Sequence, residues 1–275
     1  MKPAPFDYVR VTGTEEALDV LAAEGEDARI LAGGQSLVAM LNMRLARPAV
    51  LVDLMHAAEL RQIRMDAGAL VIPAAVRQAE LARYSGLDTA IPLLAQVLPW
   101  VGHPQTRARG TVCGSLAHAD PSAELPLALA ALDAEVVVRN RKRRRTVSAK
   151  DFILGTMLTD LAPDELVEAV RIPVQDTGTG SAFREVSRRR GDFAIVACAA
   201  LVKGRRIRLA VGGIDDTPVI RDWEELAPAD IAEALNAFAW TLDARDDLHA
   251  TARYRRDLVR NLGATVIREA QACAG

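Results

Sequence analysis

The sequence predicts an α+β chain built of two units, and three observations predict it. Between Phe6 and Leu54, short apolar runs alternate with helical patterns, the rhythm of a small βαβ-like lobe. At Gln175-Asp176-Thr177-Gly178-Thr179-Gly180 the chain turns polar and glycine-rich, which marks a boundary. Beyond it, three strand-like runs precede two helical ones, the order of an α+β domain with an antiparallel sheet and helices on one side. The expected domains are 1–175, with lobes of about 1–55 and 56–175, and a smaller 180–275.

The elements follow in order. Phe6 to Val9 reads as a strand, and Thr14 as the cap of a helix from Glu15 to Glu24 that stops at Gly25 and buries Ala17, Leu18 and Leu21. Ala28 to Ala32 is a strand, and Leu37 to Leu45 a helix with Leu37, Met40, Leu41 and Leu45 inward. Ala49 to Leu54 is an apolar strand broken by Asp53. In the second lobe, Ala69 to Val76 is a strand whose Pro73 places it at an edge or a bulge. Gln78 to Arg83, Ile91 to Val101 and Glu124 to Leu132 are helical, the last opening near Pro121 and Ser122. Ala134 to Arg139 and Glu165 to Ile172 are strands, and Ser148 to Phe152 a short helical turn. In the last unit, strands cover 182–187, 194–202 and 206–211, and helices 229–241 and 252–272.

Half of the 275 residues are hydrophobic, enough for a sizeable core. With 34 basic residues against 36 acidic ones, the charge gives no pull toward nucleic acid or an anionic membrane. No apolar run reaches membrane-spanning length and Met1 to Pro5 is not a signal peptide, so a cytoplasmic protein is expected. Cys113, Cys198 and Cys273 are far apart, with no Cys-x-x-Cys, so neither a zinc site nor an iron–sulfur cluster is encoded. Any metal centre in an electron path belongs to another chain.

Two stretches carry the chemistry. Ala32-Gly33-Gly34-Gln35-Ser36-Leu37 links a strand to a helix. Arg109-Gly110-Thr111-Val112-Cys113-Gly114-Ser115-Leu116-Ala117-His118-Ala119-Asp120-Pro121-Ser122-Ala123-Glu124 reads as a second loop of small residues and hydroxyls between apolar segments. Such loops bring backbone N–H groups close to a ligand. One Gly-Gly turn is most often only a turn; two of them suggest a pair of cups facing each other across a long phosphate-bearing ligand. Neither matches the dinucleotide or phosphate-loop fingerprints.

The two stretches together strongly resemble the FAD-binding medium subunit of molybdenum hydroxylases, the group that includes carbon monoxide and xanthine dehydrogenases. Asn42 to Pro48, Leu51 to Leu54, Arg171-Ile172-Pro173, Gly191-Asp192-Phe193-Ala194 and Tyr254-Arg255-Arg256 support it in family order over nearly the whole chain. The resemblance implies a two-lobed FAD-binding domain of the vanillyl-alcohol oxidase (PCMH) type and a C-terminal domain of the carbon monoxide dehydrogenase flavoprotein type. It implies FAD held by Ala32, Gly33, Gly34, Gln35, Ser36 and Leu37 on one side and by Thr111, Val112, Cys113, Gly114 and Ser115 on the other. By position it puts Glu124 near the ribityl or adenosine part, Val167 against the ligand and Arg184 near the flavin ring. It implies partners: a molybdopterin-bearing large subunit and a small subunit with two [2Fe-2S] clusters, as a heterotrimer or a dimer of heterotrimers. No catalytic acid or base and no metal ligand is expected in this chain, because flavin chemistry belongs to the cofactor.

The chain departs from the family at Cys113, usually Gly, where an ordinary negative φ is therefore expected. It also departs at Ile72-Pro73-Ala74 (usually Ile-Gly-Ala) and at Phe183-Arg184 (usually Tyr-x-Lys). His103 and His118 read as packing residues, Asp246-Asp247-Leu248-His249 as the capped start of the last helix, and Arg141 to Arg145 as a solvated hairpin turn. Arg188-Arg189-Arg190 lies near the expected flavin end. Two other functions compete: a self-sufficient flavin oxidase or reductase of the same fold group, and a non-redox nucleotide-binding module.

Overall fold

The computed structural model describes residues 2–274. A first lobe holds β1 (Asp7–Arg10), α1 (Thr14–Glu24), β2 (Ala28–Leu31), α2 (Leu37–Asn42) and β3 (Val50–Asp53), with β3 in the middle of a parallel three-stranded sheet. β3 reads as a continuous apolar run because both its faces are covered. α1 buries the expected Ala17, Leu18 and Leu21 and stops at Gly25, whose φ of +54° a side chain would disfavour. Its start differs from the expectation. Gly13 holds the cap position, and Thr14 is already helical and buried; its N–H donates to Glu59 Oε1 at 2.6 Å. The helix is capped from 45 residues away, by a residue no local pattern names.

α2 is also shorter than its periodicity suggests. It ends at Asn42, and Arg44 at φ +60° turns the chain, so Leu41 is buried while Leu45 is 71% exposed and Met43 points outward.

The second lobe contains β4 (Arg64–Asp66), β5 (Ala69–Pro73), α3 (Gln78–Leu81), α4 (Leu87–Ala90), α5 (Pro92–Val97), α6 (Pro104–Arg107), α7 (Val112–His118), α8 (Glu124–Ala131), β6 (Glu135–Arg139), β7 (Arg144–Ser148), α9 (Ala149–Phe152), β8 (Ile153–Gly155), β9 (Leu158–Thr159) and β10 (Leu166–Pro173). Its sheet is antiparallel in the order β4-β5-β10-β6-β7, with β8 and β9 pairing separately. β5 is an interior strand, which corrects its placement at an edge. Pro73 is tolerated because β4 pairs only with Ala69 to Val71, and the proline lies past its end. Opposite Pro73, β10 is bulged between Val167 and Ala169.

The basic run between β6 and β7 is the expected hairpin, exposed from Arg141 to Arg144, and its arginines also pair with acids of the chain. Arg141 meets Glu15 and Asp19, and Arg144 meets Glu168. Arg145 clamps the buried Glu165 with Nε at 2.9 Å and Nη2 at 2.7 Å, and this guanidinium holds the Glu165 carboxyl below the usual carboxylate range. The run therefore ties the second lobe together and reaches back to α1.

The C-terminal domain is a meander of β11 (Gly180–Ser187), β12 (Ala194–Lys203), β13 (Arg206–Gly212) and β14 (Val219–Trp223), followed by α10 (Ile231–Thr241) and α11 (Ala252–Cys273). Its two faces bury different things. Val196, Cys198, Leu209 and Val211 pack with Leu235, Val259, Val266 and Ile267 of the two helices. Phe183, Ala194, Ala197, Ala199 and Ala210 face the other way and join the core of the second lobe. There α8 is buried at all eight positions, hydrophobic all round as a helix between two layers must be. Among the described residues no helix is long and apolar enough to cross a membrane.

α11 approaches β11 so closely at Gly180 that a Cβ there would stand 1.8 Å from the Ala270 carbonyl oxygen. Gly180→Ala should lower unfolding stability by about 3 kcal/mol through overpacking against backbone. Gly155→Ala, where a Cβ meets nothing nearer than 4.0 Å, should cost less than about 1 kcal/mol as an uncrowded surface change. Urea denaturation of the two variants checks the difference.

Candidate functional site

The two glycine-bearing stretches touch. A Cβ on Gly33 would lie 2.2 Å from the Arg109 carbonyl oxygen and 2.6 Å from the Gly110 Cα, so backbone packs on backbone there. Gly34 has φ +71°, which only glycine adopts freely. A Cβ on Gly114 would meet Thr111 Oγ1 at 2.7 Å and Ala32 Cβ at 3.8 Å, so Gly114 faces the first loop. The sequence places these residues about eighty positions apart; the parallel first sheet and the β5–α3 turn bring them together.

The two cups are unequal. In the first, the N–H groups of Gly33, Gly34, Gln35 and Ser36 donate to no acceptor among the described residues, and Gln35 Nε2 folds back onto the Gly33 carbonyl at 3.0 Å. The second stretch is not a loop throughout, as expected, but enters α7 at Val112. Helix formation uses its donors: Val112 N–H reaches the Val76 carbonyl, Gly114 N–H the Thr111 hydroxyl at 3.0 Å and Ser115 N–H the Thr111 carbonyl. The Cys113 N–H is left over.

Cys113 has no positive φ, in keeping with the sequence argument, and its thiol points into the second lobe, where Sγ meets the Ile72 carbonyl. Burial pushes that thiol up to about 12, so it stays protonated and is no nucleophile. A side chain is tolerated at 113 because it faces the sheet, and is excluded at 114 because that position faces the other loop. Beside the second stretch, Gln78 donates to the Thr111 carbonyl, and its Oε1, like Arg77 Nε, is buried without a partner.

Glu124 opens α8 and is 4% exposed. A helix N-terminus favours its ionised form, but burial wins and raises the carboxyl to about 7; Asp120 adds to the rise and Arg107 opposes it. Val167 is buried in the main core on β10, opposite Val138.

Arg184 stands on the other face of β11 from this site. It lies across from Cys198, and its guanidinium pairs with Glu269 of α11 at 2.8 Å. The side chain therefore lies on the face that α11 covers. Its neighbour Glu185 lies opposite Ala197 and shares the inward face with Phe183. Glu185 is 8% exposed, neither carboxylate oxygen has a hydrogen-bond partner, and burial with the nearby Glu124 raises it to about 8. A Tyr-x-Lys motif laid on Phe183 ends at Glu185, so the basic residue is replaced by an acid and not by Arg184. Period-2 alternation from Phe183 was the signal that finds it.

His103 sits against Gly191, where a Cβ would come within 2.7 Å of Nδ1, and Arg190 stacks over Trp100 at 5.6 Å. Trp100 in turn meets Phe183 edge to face, so the arginine loop is pinned to the seam between domains. The acidic cluster before α11 caps backbone: Asp247 Oδ1 accepts from His249 and Ala250 N–H, and Asp246 from Ala252 N–H. No group of three or more potential metal ligands occurs among the described residues.

Comparison with known proteins gives the following. Residues 4–175 match the model of the FAD binding domain in molybdopterin dehydrogenase, and residues 181–270 that of the CO dehydrogenase flavoprotein C-terminal domain. The chain is 39% identical to the 6-hydroxypseudooxynicotine dehydrogenase complex subunit alpha of Paenarthrobacter nicotinovorans, over 95% of this chain and 93% of that one. It superposes on a chain of quinoline 2-oxidoreductase from Pseudomonas putida 86 with a TM-score of 0.92 at 34% identity, covering 100% of this chain and 99% of the other. A chain of carbon monoxide dehydrogenase from Hydrogenophaga pseudoflava gives 0.94 at 30% identity, with full coverage of both.

Buried acids with raised pKa make the empty protein pH-sensitive. Their stabilising effect is complete below the unfolded value near 4.5 and is lost as pH rises through about 7 and about 8. Without ligand, unfolding stability should therefore fall between pH 5 and pH 8. Glu185→Gln should recover a few kcal/mol, on the order of the linkage for a shift of several units, at pH 8 and little at pH 5. Urea midpoints at the two pH values measure it.

Proposed function

The chain belongs to the family of FAD-binding subunits of molybdopterin dehydrogenases, and from that premise we propose that it is the electron-relay flavoprotein of a molybdenum hydroxylase complex. Its partners are a molybdopterin-bearing large subunit, where substrate is oxidised, and an iron–sulfur small subunit that feeds electrons to this chain. The assembly is a heterotrimer or a pair of heterotrimers, and an external acceptor removes the electrons. The substrate is chosen on the large subunit.

The observation that carries the reading is the backbone contact at Gly33, with free N–H groups beside it. A diphosphate needs several donors at close range and no side chain in the way. The first loop fits that need: after β2 come four N–H groups with no acceptor among the described residues, and Ser36 adds a hydroxyl. The second stretch adds the Cys113 N–H and the Ser115 hydroxyl, and Gly114 keeps the opening clear. Ala32 and Leu37 flank the first cup, and Thr111 and Val112 shape the second. In this reading Glu124 would lie near the ribityl or adenosine part and Val167 would pack on the ligand. When bound, FAD supplies the ability to accept electrons singly and release them in pairs. The chain's own work is to orient it, exclude water and fix its electrostatics.

A direct measurement is FAD content and affinity of the purified full chain. The wild type should bind near one FAD per chain. Gly33→Ala should weaken binding at least about 100-fold, since the loops must part to admit the methyl group. Arg184→Ala, on the outer face, should stay within about twofold, as expected for a distant exposed pair. A folded wild type that ignores FAD sinks the reading.

A further inference from the structure

We propose that Arg77 is the cation of the FAD cradle, its guanidinium meeting the diphosphate from the side of the second cup. The inference rests on the flavin reading above and adds a charged partner to a cradle whose other donors are neutral.

Two backbone bonds fix where the side chain starts. Residues 76–78, between β5 and α3, run antiparallel to residues 110–112, with Arg77 directly opposite Thr111. The Gln78 N–H donates to the Gly110 carbonyl at 2.8 Å, and the Val112 N–H to the Val76 carbonyl at 3.4 Å. These bonds flank the Arg77–Thr111 pair, which exchanges none of its own. It is therefore a non-hydrogen-bonded pair, the kind in which facing side chains leave on the same side and stand closest.

Thr111 shows which side that is. Its hydroxyl accepts from the Gly114 N–H at 3.0 Å, and a Cβ on Gly114 would lie 3.8 Å from Ala32 Cβ. Thr111 thus turns its side chain to the start of α7, where the two glycine-bearing stretches face each other, and Arg77 leaves beside it. The arginine stem is longer than the threonine side chain and carries the guanidinium past Thr111 to an anion held there. Gln78, 4% exposed, braces the same turn, with Nε2 donating to the Thr111 carbonyl.

The guanidinium is uncommitted. Among the described residues it makes no hydrogen bond and no ion pair, and Nε is buried without an acceptor. The acid nearest along the chain, Glu80, is already taken: Oε1 by Arg61 at 3.0 Å, and Oε2 by the backbone N–H of Arg77 at 2.9 Å. Arg107, on α6, spends Nη1 on the carbonyls of Val101 and Gly102. A folded protein seldom buries a guanidinium nitrogen without an acceptor unless a water or a ligand supplies one. A diphosphate supplies oxygens that match the arginine fork, and such charged bonds are roughly twice as strong as those from neutral N–H groups.

The test uses the full chain, stripped of flavin, with FAD as the probe. Fluorescence titration should show Arg77→Gln raising the Kd by roughly 10- to 100-fold, the range for a hydrogen bond to a charged group. Arg77→Lys keeps the charge and loses the fork, so its Kd should lie within about 3- to 10-fold of the wild type. Raising NaCl from about 50 to 500 mM should weaken FAD binding several times more in the wild type than in Arg77→Gln, which lacks the screened contact. Phosphorus NMR of bound FAD should show a diphosphate resonance displaced in Arg77→Lys. Arg83→Ala removes an exposed arginine just beyond α3 and should stay within about twofold of the wild type, which separates contact from net charge. Should Arg77→Gln fail to fold, the affinity and phosphorus spectrum of Arg77→Lys decide the matter. A Kd for Arg77→Gln within about twofold of the wild type, an equal salt dependence, or an unmoved diphosphate spectrum overturns the role of Arg77 and leaves the flavin reading intact. A folded wild type that binds no FAD overturns both.

Discussion

The burial of α8 on every side is the constraint from which the rest of the architecture follows. Its eight residues lie between the helices and sheet of the second lobe and the inner face of the C-terminal sheet. The leucines at 125, 127 and 129 each contribute about 1.5–3 kcal/mol by leaving water. The sheet accommodates the helix because the strand facing it is lined with small residues, Ala197 and Ala199, while its other face carries Val196, Cys198 and Val202. Size is thus sorted by strand alternation. The first residue of a helix so placed has no water to turn to, and in this chain it is an acid.

The same wedge decides where a ligand can lie. The stretch leading into α8 is held to the C-terminal sheet by the Gly213 N–H, which donates to the Pro121 carbonyl at 2.9 Å. It is held to the first lobe by the backbone contact at Gly33. Within the C-terminal domain, Arg255 donates to the Ile195 carbonyl at 2.6 Å and pairs with Asp247. Residues 109–123 are therefore clamped at both ends by different domains. A segment held in this way is preorganised, and little ordering would be left to oppose binding of a ligand beside it.

Much of this was legible in the sequence. The two domains, the glycine pairs and the family resemblance come from local patterns and residue order. What local patterns miss is tertiary. Thr14 looked like a cap because caps are read from neighbours, yet the acceptor is Glu59. Leu45 looked buried because periodicity cannot see the turn at Arg44. Pro73 marked an edge or a bulge; the bulge lies opposite it in β10, and the interior place of its strand was hidden because the length of β4 is not written near it. The basic run is the solvated turn its composition suggests, but its acidic partners, Glu15, Asp160 and Glu165, lie well away along the chain and could not be read locally. At the site, residues 33, 34 and 114 declared themselves by being glycine; Glu185 did not, because an acid in a strand announces nothing until its face is known.

The unequal cups show how fold and site share the same backbone groups. α7 starts within the second stretch, and a helix N-terminus must satisfy its first N–H groups somehow. Here Thr111 satisfies one with its hydroxyl and the Val76 carbonyl another, so stability claims donors that a ligand would otherwise use. The first loop makes no such claim: Ser36 makes no side-chain cap, and the N–H groups before α2 stay free. α2 is short, with one fully buried residue, and gains little from packing. A helix that weakly packed, opening on four unsatisfied donors, costs the empty protein stability that a bound anion would return. In the proposed reading, the loop that stabilises the fold least is the one that would hold the diphosphate, and binding would draw on the hydrogen bonds that the fold leaves unmade.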